Sequence, residues 1–173
     1  MATFSFTPLA SSDFEQLARW LNAPHVRATY QKEPISLEEV TQEYTKKIDE
    51  NSSVRCHIAW LDGAAVGFLQ CYRVVDFPDY GQEIGKDSGI TVDFFIGEAA
   101  CLGKGYGKHM LQCYLQNVAF PTFKAEDTCW ICHAEDNKAA IRCSQAVGFS
   151  VYGHVVEDGK PSVLLGLKKD DLT

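Results

Sequence analysis

A glycine-rich turn stands between an apolar run and a helical pattern near the middle of the chain. The run Val92–Ile96 is short, apolar and rich in strand-forming residues, and the turn Leu102–Gly107 (LGKGYG) follows it. Apolar residues then recur at helical spacing at Met110, Leu111, Tyr114, Leu115 and Val118. Glycines permit positive φ, and the first N–H groups of a helix lack internal partners. The pattern predicts a backbone site for a phosphate or diphosphate, although a plain strand-to-helix connection would use the same glycines.

Two common phosphate-binding loops do not fit this turn. A Walker A loop requires Ser or Thr after its Gly-Lys pair, and here His109 follows Gly107-Lys108. A dinucleotide-binding loop requires Gly-x-Gly-x-x-Gly, whereas Gly103, Gly105 and Gly107 are spaced two apart. The turn therefore belongs to another kind of anion site.

A carboxylate interrupts the apolar run. Asp93 is costly in such a strand unless it has a partner or faces a cleft, and strand alternation gives it the same face as Phe95 and Gly97. We expect a polar cleft on that face; a structural aspartate bonded to backbone or to a nearby cation is the alternative. His133, near the end of a later strand, is a second candidate proton acceptor or else a structural hydrogen-bonding group.

Composition limits the class of protein. The 173 residues suit a single domain over 1–173, with 46% hydrophobic residues and no apolar stretch of about 18 residues that would span a membrane. The start of the chain lacks the pattern of a signal peptide, so we expect a cytoplasmic protein. The net charge of −7 disfavours nucleic acid and favours a cationic partner.

The seven cysteines are scattered, which is typical of reduced thiols rather than of a disulfide framework. Cys129-x-x-Cys132 followed by His133 resembles half of a zinc or redox site. The segment has the composition of a strand, however, and residues three apart on a strand point to opposite faces. We therefore predict no metal.

These residues need a scaffold to position them. The sequence predicts strands and helices in the order βααβββαβαββ, which form a mixed sheet of the α/β (α+β) class with helices packed against it. Strong turn signals stand at Asp62-Gly63 and Asp158-Gly159, and Gly148 ends the last helix. The polar, acidic stretch 76–88 is expected to be a mobile loop.

The turn Leu102–Gly107 resembles the acyl-CoA signature of the GNAT N-acetyltransferase superfamily, Arg/Gln-x-x-Gly-x-Gly/Ala, with Leu102 in place of the usual Arg or Gln. Asn137–Cys143 with Gly148-Phe149 resembles the second signature of that superfamily. Three regions resemble the aminoglycoside 6′-N-acetyltransferases in particular: Trp20-Leu21-Asn22 with His25, Gln70 with Tyr72, and Asn137–Cys143. The resemblance implies the GNAT fold, with a mixed central sheet splayed at the cofactor cleft and flanking helices. Members of the superfamily are often homodimers.

The resemblance also implies acetyl-CoA as co-substrate, with no metal. The pantetheine arm would lie along the backbone edge at Phe95, Ile96 and Gly97, and an N–H of Phe95 or Ile96 would hold the oxyanion. The pyrophosphate would rest on Gly103, Lys104, Gly105, Tyr106, Gly107 and Lys108. Asn137 would bond the pantetheine, or serve only as a helix cap.

By the same resemblance, Asp93 meets the acceptor amine, either as general base or only to orient it. His133 is a second catalytic candidate. Ser144 stands where the superfamily carries a tyrosine that protonates the leaving thiolate, so either Ser144 acts weakly through water or the thiolate leaves without direct protonation. The acceptor pocket would be walled by Tyr30, Tyr44, Gln70, Tyr72 and Tyr80, unless these residues only pack, with the acidic stretch as its lid.

The sequence therefore predicts an N-acetyltransferase acting on an aminoglycoside 6′-amine or a similar polycationic small molecule. Acylation of a hydroxylysine-type siderophore precursor ranks second, because that subfamily carries His where this chain has Asp93. N-terminal acetylation of a ribosomal protein or of a peptide ranks third. A non-catalytic acyl-CoA sensor is an alternative of another class, suggested by Ser144 and Leu102.

Overall fold

The computed structural model describes residues 3–173. Seven of its segments are strands, numbered β1 to β7 along the chain, and they form one sheet in the order β1-β2-β3-β4-β5-β7-β6. The strands are β1 Phe4–Pro8, β2 Arg55–Leu61, β3 Ala64–Arg73, β4 Ile90–Ile96, β5 Thr128–Ala134, β6 Ser150–Glu157 and β7 Lys160–Lys168. Strands β4 and β5 pair in parallel, whereas β1 with β2, β5 with β7, and β6 with β7 pair antiparallel. The sheet is mixed, as the sequence predicts.

Helices fill the connections between strands. They are α1 Phe14–Leu21, α2 Pro24–Arg27, α3 Leu37–Lys47, α4 Pro78–Ile84, α5 Tyr106–Tyr114, α6 Phe120–Thr122 and α7 Lys138–Val147. A π-helical turn, Leu115–Ala119, joins α5 to α6. Within the described part of the chain, no helix is long and apolar enough to cross a membrane, and no group of three or more His, Cys, Asp or Glu side chains is arranged to hold a metal ion.

The chain divides into two compact units, each made of two stretches. One unit holds the chain as far as Gln70 together with Phe94–Gly107, and the other holds Cys71–Asp93 together with Lys108–Thr173. Strands β3 and β4 therefore each contribute residues to both units.

The first unit packs α1 and α3 together through apolar faces. Helix α3 begins with a reciprocal cap, in which the Glu39 N–H donates to Ser36 Oγ (3.1 Å) and the Ser36 N–H donates to Glu39 Oε2 (2.7 Å). The core of the first unit includes the buried residues Leu17, Trp20, Leu21, Val40, Tyr44 and Phe68.

The second unit places helices on both faces of its strands. Helix α7 begins at the Asn137 cap and ends at Gly148, whose φ is positive. A smaller cluster of Val74, Ile84, Trp130 and Leu164, with Tyr80, Cys132 and Val155 against it, lies under α4.

The prediction of a mobile loop over 76–88 is wrong, because a 3₁₀ turn, Val74–Asp76, leads directly into α4. Proline at the start of α4 suits the first helical turn, and Gly85 ends the helix with φ +67°. Tyr80 and Ile84, four residues apart, give α4 an apolar side, which the acidic composition of the stretch concealed. The predicted acidic lid is therefore a packed helix.

Candidate active site

The glycine turn has the backbone that an anion site needs. Gly103 and Gly105 have φ of +71° and +77°, which favours glycine, and a Cβ added at either would meet nothing within 4 Å. Helix α5 begins at Tyr106, whose ring packs edge-on against Phe4 with centroids 6.3 Å apart. The space over the turn is open and N–H groups at a helix start are adjacent, so the residues fit a diphosphate.

Two lysines lie in or next to this turn. Lys104 is exposed within it. Lys108, in the first turn of α5, lies close enough to Cys143 of α7 to oppose the rise that burial causes in the pKa of that thiol. Both cations could add charge to an anion site.

The end of β4 is clamped by α1. A Cβ on Gly97 would lie 2.2 Å from Cδ2 of Trp20, so only glycine fits there. Trp20 Nε1–H donates to Glu98 Oε1 (2.8 Å), and Arg19 forms an ion pair with the same oxygen (2.6 Å). These partners hold the pKa of the Glu98 carboxyl below its usual value, and the hydrogen bond from Trp20 has the largest effect. The strand end beside the glycine turn is thus fixed.

The backbone at this end faces in two directions. The Gly97 N–H donates to the Val66 carbonyl of β3 (2.8 Å), whereas the Ile96 carbonyl accepts from His25 Nε2 (2.9 Å). His25 therefore carries its proton on Nε2. Because successive residues of a strand alternate between its two edges, the N–H of Ile96 faces away from β3, and that of Phe95 faces towards it. Of the two predicted oxyanion donors, Ile96 is the one on the outer edge, while the Gly97 N–H is already bonded.

The residues of the first unit that were predicted to line the acceptor pocket differ in how deeply they are buried. Tyr30 is half-buried and packs edge-on against Phe95, with centroids 4.8 Å apart, so it can line a pocket. Tyr44 is buried edge-on against Phe68, and Gln70 is buried and accepts a hydrogen bond from a cysteine thiol. Tyr44 and Gln70 thus lie in the packed interior, because their strand and helix positions face the core.

One sheet face of the second unit gathers the acidic and aromatic candidates. Thr91 pairs with Trp130 in the parallel register of β4 and β5, so Asp93 and Cys132, two residues further along, project from that same face. The antiparallel pairs of β5, β7 and β6 extend the face to Glu157. We call this surface, made by Tyr72, Tyr80, Asp93, Cys132 and Glu157, the acidic face.

Asp93 influences every other group on the acidic face. Burial, then the Asp93 charge, raises the pKa of Tyr72 well above its usual value, and burial raises that of Tyr80 likewise. Burial, then Glu157 and Asp93, raises the pKa of Cys132 to about 12. Burial, then Asp93, Asp158 and Glu83, raises the pKa of Glu157 to about 7. Such a field disfavours any added negative charge and favours a cation.

His133 and Ser144 lie on the other face. The Nε2 atom of His133 is 2.8 Å from the Ser144 Oγ, and Ser144 is fully buried. Burial lowers the pKa of His133 to about 4, so the imidazole is neutral near pH 7 and is a weak base. The structure does not bring these two residues together with Asp93, because strand alternation separates Cys132 from His133.

Asn137 caps α7 by accepting the Ala140 N–H (3.2 Å). Its Nδ2 makes no hydrogen bond with any of residues 3–173. The cap thus leaves the amide donor available for a ligand, and the two predicted roles are compatible.

Sequence reasoning gave no site role to Glu157, Glu98 or His25, although His25 belongs to a region that resembles the aminoglycoside 6′-N-acetyltransferases. Glu157 carried a signal, since it continues the alternation of Gly153 and Val155, but it also resembles a turn residue beside Asp158-Gly159. Glu98 contacts Trp20 and His25 contacts Ile96, and in each pair the two residues are more than 70 positions apart in the chain. No local sequence pattern predicts such contacts.

Comparison with known proteins places these features in a family. The model of the "Acetyltransferase (GNAT) domain" family matches residues 10–156. The aminoglycoside N(6′)-acetyltransferase type 1 of Klebsiella pneumoniae is 27% identical over 163 residues, which cover 91% of this chain and 79% of that protein. The corresponding enzyme of Serratia marcescens gives the same figures.

Solved structures resemble the whole chain. The crystal structure of aminoglycoside acetyltransferase AAC(6′)-Ib in complex with coenzyme A and kanamycin has a TM-score of 0.81 at 22% identity, covering 98% of this chain and 96% of that one. A chimera of spermidine N-acetyltransferase SpeG from Vibrio cholerae and hSSAT has a TM-score of 0.76 at 16% identity, with 96% of both chains covered. These likenesses confirm the predicted fold.

Proposed function

The chain belongs to the GNAT acetyltransferase family, and we propose that it transfers the acetyl group of acetyl-CoA to a primary amine of a polycationic small molecule, with the 6′-amine of an aminoglycoside as first candidate. The observation that carries the acceptor assignment is the acidic face, where the charge of Asp93 acts on two tyrosines, a thiol and a second carboxylate. An acceptor with several ammonium groups complements that field.

The donor assignment is supported by the glycine turn and the end of β4. The N–H groups at Gly103, Gly105 and the start of α5 would hold the diphosphate, with Lys104 and Lys108 adding charge. The Ile96 N–H, on the outer edge of the strand, would hold the acyl oxygen, and the Asn137 Nδ2 would bond the pantetheine. When bound, acetyl-CoA supplies the activated acyl thioester.

The residues of the acidic face would prepare the amine. An ammonium group has no lone pair, so the acceptor must lose a proton before its nitrogen can attack a carbonyl carbon. Asp93, half-buried on β4, would hold and orient the cation. The phenols of Tyr72 and Tyr80 would remain protonated and could donate or accept hydrogen bonds with the hydroxyl groups of a sugar acceptor.

The proposal is tested by incubating the protein with acetyl-CoA and a panel of amines while the released thiol is measured. The panel comprises kanamycin, spermidine, N6-hydroxylysine and a peptide with a free N-terminus, and mass spectrometry locates the acetyl group. We expect kanamycin to be acetylated on one amine. Turnover of hydroxylysine alone would assign the chain to siderophore chemistry, and coenzyme A binding without turnover of any amine would indicate a sensor.

A further inference from the structure

His25 contacts the backbone of β4 next to the predicted oxyanion donor. Its Nε2–H donates to the Ile96 carbonyl (2.9 Å). The N–H and the carbonyl of one strand residue point to the same edge of the strand, so the imidazole lies on the edge to which the Ile96 N–H points. The Gly97 N–H belongs to the same peptide unit as the Ile96 carbonyl, and it donates in the opposite direction to the Val66 carbonyl (2.8 Å). Both polar groups of this peptide unit are therefore bonded, which fixes its plane.

The segment that carries His25 is itself held in place. Asn22 closes it through two hydrogen bonds with Ile35, because Asn22 Nδ2 donates to the Ile35 carbonyl (2.7 Å) and the Ile35 N–H donates to Asn22 Oδ1 (3.0 Å). Pro24 begins α2 with the restricted φ that suits a helix start, and Val26, next to His25, is buried. His25 thus loses little backbone entropy when its ring bonds to β4.

Aromatic packing holds the residue before Ile96. The Phe95 ring is buried, and the rings of Tyr30 and Trp20 pack edge-on against it with centroids 4.8 and 6.5 Å away. The peptide unit that carries the Ile96 N–H joins Phe95 to Ile96. It therefore lies between a residue that is fixed by its side chain and a peptide unit that is fixed by His25.

We propose that His25 is a positioning residue for acyl transfer, which aims the Ile96 N–H at the carbonyl oxygen of the acetyl thioester by holding the Ile96 carbonyl. This inference rests on the proposed function. As the amine adds to the thioester carbon, negative charge develops on that oxygen, and an aligned N–H stabilises the transition state more than the bound substrate. His25 itself gains and loses no proton in this role. Without the imidazole the Ile96 N–H remains but loses its alignment, so the rate falls while the affinity for coenzyme A does not.

The first test needs no turnover. A long-range ¹H–¹⁵N spectrum of the imidazole rings, recorded at alkaline pH, shows which nitrogen of the neutral His25 ring carries the proton, and the His25 signals are assigned by their loss in H25Q. Across residues 3–173 its Nδ1 makes no hydrogen bond, so the Ile96 carbonyl alone decides the tautomer. We expect the proton on Nε2. A proton on Nδ1 would overturn the inference, because Nε2 could then not donate to Ile96.

Amide hydrogen exchange reports on the same contact. H25L keeps an apolar side chain of moderate bulk but has no donor, and the Gly97 N–H should then exchange about fivefold faster than in the wild-type chain. H25Q, whose amide can donate to the Ile96 carbonyl, should stay within about twofold of the wild-type rate. The control H154L removes an exposed imidazole of β6 that pairs with Glu135, and it should leave the Gly97 rate unchanged. A wild-type Gly97 rate in H25L would mean that His25 does not hold the strand end.

Kinetics separates positioning from a merely structural role. With an amine that the wild-type chain acetylates, kcat per folded molecule should fall about tenfold in H25L, which is less than the loss of a whole oxyanion donor, and H25Q should restore most of it. Urea titrations give the folded fraction of each variant. The KM for the amine and the affinity for coenzyme A, measured by calorimetry, should stay within about twofold, because the alignment acts in the transition state.

Two results would refute different claims. Equal kcat in H25L and the wild-type chain would refute the role of His25 alone. Failure of the wild-type chain to acetylate any amine would instead refute the proposed function, even with the tautomer and the exchange rates as expected.

Discussion

The contact between Gly97 and Trp20 gives the sharpest test of how α1 fixes the strand that would carry the acyl group. In G97A the new Cβ would lie 2.2–2.5 Å from three ring atoms of Trp20, about 1.3 Å closer than a normal carbon contact. The ring cannot easily withdraw, because it is buried and its Nε1–H is bonded to Glu98. Gly97 does not have positive φ, so the cost is steric rather than conformational. We expect a loss of about 3 kcal/mol in the free energy of unfolding.

Urea denaturation followed by tryptophan fluorescence measures this loss, with G153A as the matched control. Gly153, in β6, does not have positive φ either, but a Cβ there meets nothing within 4 Å, so its change should stay within about 0.5 kcal/mol. Replacing Trp20 with Leu in G97A should recover part of the loss, because the overlapping atoms are removed. Equal stability of G97A and G153A would refute the clamp.

Three further outcomes are expected. D93N should lower kcat for a polycationic acceptor about 100-fold while coenzyme A affinity, measured by calorimetry, stays within about twofold; equal kcat would remove Asp93 from the site. G105V should weaken coenzyme A binding at least about tenfold, whereas G159V, which also forces a branched side chain into positive φ (+72°) with open space around it, should share only its loss of stability. Burial keeps the His133 imidazole neutral in the folded chain, because it lowers the pKa to about 4. The folded chain therefore has its full stability above pH 6.5. As the pH falls from there towards 4, the unfolded chain binds a proton that the folded chain does not, and the free energy of unfolding decreases. Between pH 7 and 4.5 the wild-type chain should therefore lose about 2 kcal/mol more than H133Q in urea titrations; equal losses would mean that His133 is not buried as described.

Much of the fold was predictable because its signals are local. The turns at Asp62-Gly63 and Asp158-Gly159 place four residues at positive φ, and the Ser-x-x-Glu pattern of Ser36–Glu39 forms the cap that begins α3. Helix α4 was not predicted, because its apolar side amounts to Tyr80 and Ile84 within an otherwise polar stretch. Seven residues offer too few turns for periodicity to emerge against that background.

The candidate site was predictable only in part, for a related reason. The glycine turn is contiguous, so its residues and spacing are visible in the sequence. The acidic face is assembled from four strands and a helix, and Glu157 reaches it only because β7 lies between β5 and β6. Tyr44 and Gln70 were predicted to line the acceptor pocket, but both are buried in the packed interior. The sequence alone does not distinguish an aromatic or amide side chain that lines a pocket from one that packs in a core.

The choice of catalytic residues depends on the register between β4 and β5, which no local pattern reveals. Thirty-eight positions separate Ile90 from Thr128, the first residues of the two strands, and the described parallel pairing joins Ile90 to Cys129 and Thr91 to Trp130. A slip of one residue would exchange the faces of β5 and would set an imidazole, rather than a thiol, beside Asp93. In the observed register Cys132 shares the face of Asp93, and its high pKa keeps the thiol neutral and unsuited to accept a proton.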